Sequence, residues 1–266
     1  MMMKKNPVRR YLDHLIDMQV SHYLLFVFIL SITYAQDVPW FEGERAFQLL
    51  NQQCDLGPRF PGSPGHEEMI KFLDNFLSPL CHNLNKYETP VIHPMHADTV
   101  LLTNFLARYN PGAENRIMLM AHWDTREIAD MDTLEINRSK PILGANDGAS
   151  GVAVIMTIAE VLNHNPVDIG VDLLLVDGED MGVPGMKGSY GLGTREVSKL
   201  LPYPRPRYAI CLDMVGDADQ EFLIERYSLQ QAAPVVQTVW VIALHLGYDH
   251  SKIACGLPIE DAFRAF

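Results

Sequence analysis

Side chains able to hold a metal ion or move a proton recur where apolar runs end. His122 and Asp124 close "RIMLMAHWD"; Asp177, Glu179 and Asp180 close "GVDLLLVDGED"; Asp213 closes "YAICLD". Asp147 sits in "LGANDGASGV", which runs directly into a helical pattern from Val152 to Leu162. In an extended strand, residues two apart point to the same side, so His122 and Asp124 are spaced as neighbouring ligands. One imidazole with several carboxylates is a donor set for a catalytic Zn²⁺ that keeps a position open for water or substrate. Each residue also has an ordinary reading. A strand-end aspartate is a turn former, Asp147 or Ser150 is a helix cap, Glu179 and Asp180 are a solvated loop, and His122 is a core histidine. Coincidence favours the site, because carboxylates gathered at one sheet edge repel one another unless a cation is present.

The elements that must position these groups follow from periodicity. "PWFEGERAFQLLNQQC" has helical spacing, and a second helix runs from His66 to Leu80 after the breaker "GPRFPGSPG". "KYETPVI" and "TVLLTNFLARY" read as an antiparallel pair, and "RIMLMAHWD" as a buried strand. A helix over 150–163, strand "GVDLLLVD", a helix near Thr194 to Leu201, strand "YAICLDMV", strand "EFLIE" and a helix over 232–246 follow. Strands alternating with helices predict a three-layer α/β/α globule around a mixed, mainly parallel sheet. Ligands of such sheets sit outside the carboxyl ends of the strands, where the acidic residues lie, so all of them are expected to converge on one crevice.

Bulk properties are those of an ordinary globular domain: 266 residues, 48% hydrophobic and 20% charged. A formal charge of −12 argues against a nucleic-acid partner, which needs clustered Lys and Arg. Cys54, Cys81, Cys211 and Cys255 form no CxxC pair. Residues 1–35 read as a signal peptide or a short membrane anchor: Lys4, Lys5, Arg9 and Arg10 precede "YLLFVFILSITYAQ", which ends in small residues with cleavage expected after Ala35. Met18 is an alternative start giving a shorter signal. Either reading places the folded part, residues 36–266, outside the cytoplasm as a secreted, periplasmic or membrane-anchored domain, with membrane contact only through an uncleaved N-terminal segment.

"HWDTREIAD", "PILGANDGASGV", "VDGEDMG" and "LDMVGD", in this order and spacing, strongly resemble the M28-type zinc peptidase family, most of all its bacterial glutaminyl cyclase branch. "CDLGPRFPGSPGH" extends the resemblance upstream, so that it covers the chain from about Phe41 to Asp261. It implies a phosphorylase/hydrolase-like fold and a zinc-dependent glutaminyl-peptide cyclotransferase, which turns an N-terminal glutamine into pyroglutamate and releases ammonia. The alternative within the family is an aminopeptidase. By motif, Asp147 and Asp180 resemble zinc ligands, Glu179 the general acid/base and Asp213 a member of the proton relay. One zinc ion is implied for a cyclase. Two are implied for an aminopeptidase, with His122 and Asp213 holding the second, Asp147 bridging and Asp124 orienting the histidine. Peptide or protein amino termini are the implied substrates.

The resemblance also carries an expectation at the other end. Family members continue past "IEDAF" with an aspartate-aspartate-histidine motif and a later histidine ligand, whereas here only Ile259, Glu260 and Asp261 match before "AFRAF". A C-terminally truncated form is therefore expected, with an inactive or binding-only homologue as the third alternative. Asn137 in "NRS" is a glycosylation sequon only in a eukaryotic host. His93 and His96 in "VIHPMHAD" have metal-like spacing, but they lie upstream of the sheet edge and read as a loop.

Overall fold

The central strands are buried on both faces, β4 along its whole length, while the edge strand β1 is partly exposed. The computed structural model describes residues 38–248 and the backbone of 251–255. The signal or anchor segment, His250, and Ile259 to Asp261 lie outside the described residues. Helix α1 (Gly43–Asp55) and helix α2 (Pro64–Leu77) come first, followed by β1 (Asn83–Ile92), β2 (Thr99–Tyr109) and β3 (Arg116–His122). Helix α3 (Ala149–His164), β4 (Gly170–Val176), α4 (Leu192–Val197) and β5 (Ala209–Cys211) complete the main body. The sheet order is β1-β2-β4-β3-β5, with β1/β2 and β2/β4 antiparallel and β3 parallel to both β4 and β5.

On one face Phe105, Ala107, Ala121, Leu173 and Leu175 pack against Leu49 of α1, Met69, Leu73 and Leu77 of α2, and Val152, Ile155 and Met156 of α3. On the other, Leu106, Met118, Met120, Leu174 and Val176 meet Val197 of α4 and Leu201. Helices on both faces of a mixed sheet are the α/β/α layering that the sequence pattern predicts. The α2 stripe has the spacing of one helix face, and each of its three residues has no exposed surface. Such burial contributes roughly 1.5–3 kcal/mol per side chain. Ser63 fixes where α2 starts, its hydroxyl accepting from the His66 amide at 3.2 Å, and Pro64 follows at the first helical position.

Departures from the expected elements are local. The strand expected over "YAICLDMV" pairs only at Ala209–Cys211, since the chain leaves β3 after the Leu212 amide bonds Met120 O at 2.8 Å. "EFLIE" does not join the central sheet: β6 (Phe222–Ile224) pairs with β7 (Ser251–Cys255) in a separate parallel pair. The last helix, α5 (Arg226–His245), starts earlier than expected because the Glu225 side chain caps the amides of Tyr227 and Ser228. It kinks at Ala232, two residues before Pro234, whose ring cannot donate a backbone hydrogen bond. Among the described residues, Cys54 and Cys81 are in no disulfide.

Candidate metal centre

The parallel strands β4, β3 and β5 end at one edge, and this register gathers the site. His122 is the last residue of β3 and lies opposite Val176, the last of β4. Asp177 to Asp180 follow β4 directly, Asp213 lies two residues past β5, and Asp147 arrives on the segment before α3. His122 Nε2 stands 2.9 Å from Asp147 Oδ1 and 3.5 Å from Asp213 Oδ1. His122 Nδ1 faces Asp124 Oδ1 at 3.4 Å.

Asp147 is not a helix cap. The N-cap of α3 is Gly148, which has no side chain to give, and the Ser150 hydroxyl is taken up by Asn146 O at 2.6 Å and the Val215 amide at 3.0 Å. Gly148 has φ +87°, and an added Cβ would come 3.1 Å from His122 Cε1 and 2.9 Å from Asp124 O. Only glycine combines that dihedral with so close an approach to the histidine. The turn before it is held by Arg59, which is fully buried. Its guanidinium donates to Leu143 O and Gly144 O at 3.0 Å each and to Trp123 O at 3.2 Å, while its amide donates to Thr125 Oγ1 at 2.7 Å. Arg59 thus ties the Asp147 turn to the chain just beyond His122, a positioning role that no spacing in the sequence announces.

Asp124 positions the other half of the site. It is fully buried and accepts two amides, Glu179 N on Oδ1 and Asp180 N on Oδ2, both at 3.0 Å. These bonds set the loop that carries Glu179, itself only 7% exposed. Arg126 braces the same loop from outside: its Nη1 donates to Asp180 O at 3.1 Å, Asp180 Oδ1 at 3.3 Å and Gly182 O at 3.0 Å, while Asp130 takes its other edge at 2.6 and 2.7 Å. Asp177 departs from the expected convergence. Its Oδ2 accepts from Thr103 N at 2.7 Å and pairs with His66 Nε2 at 2.9 Å, beneath Trp123, so it locks α2 to the sheet.

The donors fit a zinc ion. Around an ion with bonds of about 2.0–2.2 Å, tetrahedral ligand atoms lie roughly 3.3 Å apart, and the distances from His122 to its two carboxylates bracket that value. Both His122 ring nitrogens and Asp213 Oδ1 are buried without an aligned hydrogen bond, an arrangement that converging metal donors would produce. Charge crowding points the same way. Burial, reinforced by Asp147 and Asp124, pushes Asp180 up to about 7. Burial works to lower His122, but Asp124, Asp147 and Asp213 outweigh it and hold the ring well above its ordinary value. Burial likewise works to raise Asp147, and His122 overcomes it to hold the carboxyl below its usual range.

A second group assembles where the sequence reads as plain loop. His93 and His96, in the turn between β1 and β2, meet Glu127, with all three ligand atoms within 4.8 Å of one another. The histidine spacing was visible in the sequence, but their carboxylate partner comes from beyond β3.

The model of peptidase family M28 matches residues 104–256. A glutaminyl cyclase of Bacteroides thetaiotaomicron, crystallised with N-acetylhistamine, superposes with a TM-score of 0.81 at 33% identity, covering 85% of this chain and 80% of that one. A Zn-dependent exopeptidase of Parabacteroides distasonis gives 0.82 at 31% identity, covering 86% and 80%. The glutaminyl-peptide cyclotransferase-like protein of Bos taurus is 25% identical over 151 residues, and the match spans 37% of that protein's length and 54% of this chain.

Proposed function

The chain belongs to peptidase family M28, and we propose that it is a zinc-dependent glutaminyl-peptide cyclotransferase, acting on amino-terminal glutamine of peptides or proteins. The observation that carries this reading is the loop after β4. Its two amides, fixed on buried Asp124, hold Glu179 and Asp180 beside His122, Asp147 and Asp213. Asp147 and Asp180 are assigned as ligands of one zinc ion, with His122 in an auxiliary position. When bound, zinc supplies a Lewis acid that draws electrons from the substrate's γ-carboxamide carbonyl.

The chain's own residues carry the proton. Glu179, nearly buried, takes a proton from the substrate's α-amine as its nitrogen bonds to the carboxamide carbon, and gives it to the departing amide nitrogen. The new bond closes a lactam, the old carbon–nitrogen bond breaks, and ammonia leaves. Asp213, 3.5 Å from His122, is assigned to the hydrogen-bonded relay that keeps the site's proton inventory fixed. Asp124 and Arg126 hold the loop in place, so that it needs no rearrangement during the step.

Resemblance to the bacterial glutaminyl cyclase and to the bovine cyclotransferase-like protein supports the cyclase. Resemblance to a Zn-dependent exopeptidase supports the second reading, an aminopeptidase in which Glu179 deprotonates water and His122 and Asp213 hold a second zinc. A glutamine-initiated peptide, incubated with the zinc-loaded chain and followed by mass spectrometry, separates them. Loss of ammonia with every residue retained supports the cyclase, release of free glutamine supports the aminopeptidase, and an unchanged peptide overturns both.

A further inference from the structure

We propose a second divalent-metal site of zinc type, built from His93, His96 and Glu127 and separate from the centre at His122. The turn between β1 and β2 presents the two imidazoles together, with ring centroids 4.4 Å apart and planes tilted by 31°. Bonds from His93 N to Asp98 O at 2.8 Å and from Ala97 N to His93 O at 2.9 Å close that turn. Both Nε2 atoms face the same oxygen: Glu127 Oε2 lies 2.8 Å from His96 and 3.6 Å from His93. Around His122 the corresponding distances are 2.9 and 3.5 Å. The two triads have similar spacings with the donors exchanged, one imidazole to two carboxylates there and two imidazoles to one carboxylate here.

A plain histidine–glutamate pair explains His96, which is half exposed, but it leaves His93 unaccounted for. His93 is 3% exposed, and its Nε2 is too far from the carboxylate to hydrogen-bond yet close to the ligand-to-ligand spacing of about 3.3 Å around a tetrahedral zinc. Two imidazoles and one carboxylate are a known donor set for zinc with an open fourth position, and exposed His96 admits water to it. One contact works against loading. His93 Nδ1 accepts from the Met95 amide at 3.2 Å, and a metal on Nε2 moves the ring proton to Nδ1, so that bond must open. The second site is therefore weaker than it would be with a carbonyl behind the ring.

A metal here cross-links the β1–β2 turn to the segment after β3. Glu127 follows Arg126 directly, and Arg126 grips Asp180, so the cross-link stiffens the wall beside the first centre. The test is zinc titration of the chelator-stripped full chain, by elemental analysis after dialysis and by calorimetry, for wild type, His96→Ala, Glu127→Gln, Asp147→Asn and the double variant Asp147→Asn/His96→Ala. His96 is exposed, so its removal leaves the fold intact, and Asp147→Asn weakens the first centre only. One zinc equivalent is expected to weaken by at least tenfold in both His96→Ala and Glu127→Gln, to persist in Asp147→Asn and to disappear from the double variant. Equal zinc binding by wild type, His96→Ala and Glu127→Gln overturns the proposal, and so does an Asp147→Asn protein that binds no zinc.

Discussion

Glu179 is the residue on which the chemistry depends, and its environment defines what removing its charge would do. Its backbone amide is anchored on Asp124 and its carbonyl accepts from Gly191 N at 3.1 Å, so Glu179→Gln leaves the loop in place while removing the proton carrier. General acid–base groups contribute about 10²–10⁴-fold. Turnover of a glutamine-initiated peptide by Glu179→Gln is expected to fall by about that factor with zinc stoichiometry and melting temperature unchanged, as read by steady-state kinetics beside elemental analysis. A parallel loss of zinc would move Glu179 from proton carrier to ligand. His122, Asp124, Asp147, Glu179, Asp180 and Asp213 were legible in the sequence because strand ends and a glycine-rich turn mark where a parallel sheet delivers side chains. Asp177 shares that signature yet turns to His66, because its neighbour across the sheet, Thr103, offers an amide that spacing cannot reveal. Arg59 was hidden for a related reason: its guanidinium's partners are carbonyl oxygens, which every residue has.

At the level of elements, the sheet edge opposite the site has its own polar lock. Asp172 of β4 lies between Arg108 of β2 and Arg116 of β3, with N···O distances of 3.0 Å to each, and all three side chains are almost fully buried. The cross-strand pairs Arg108↔Asp172 and Arg116↔Gly170 place the two guanidiniums around one carboxylate, and Arg116 spends its remaining donors on Tyr109 O, Pro111 O and Ala113 O. Removing the shared anion strands two buried cations, a change that costs about 3–5 kcal/mol. Asp172→Ala is therefore expected to lower stability by about that much in urea unfolding, whereas Asp172→Asn, which keeps one acceptor, loses less. That these runs are strands could be predicted from their apolar pattern, but the order β1-β2-β4-β3-β5 in the sheet could not. Nor could it be predicted how each run is shared: "YAICLDMV" looks like a full strand, but only Ala209–Cys211 stay in register with β3, because pairing depends on a neighbour's path as well as on composition.

For the molecule as a whole, proton and zinc compete for the same cluster, and a chain of net charge −12 supplies no excess of basic residues to relieve it. Asp180 titrates near 7 in the metal-free fold against 3.8 as its ordinary value, so between those values the folded state holds a proton that the unfolded state has released. Stability from this group is thus lost as pH rises from about 4 to 7 and is flat above. His122 acts in the same direction: its raised pKa stabilises the fold fully below its ordinary 6.5, and that contribution disappears as pH rises through the higher folded value. Zinc reverses the trend, since it binds the ionised carboxylate and stabilises by the logarithm of its saturation, about 2.7 kcal/mol at one hundred times the dissociation constant. The metal-stripped protein is expected to melt at progressively lower temperature from pH 5 to pH 8, while the increment that added zinc brings grows over the same interval. Asp180→Asn isolates the cause, because other carboxylates also titrate in acid: the stripped variant should show a shallower decline than wild type, and its zinc increment should depend less on pH. Identical pH slopes for the two stripped proteins, measured by thermal unfolding, would show that Asp180 carries its charge without strain and that crowding at the sheet edge is not what draws the metal.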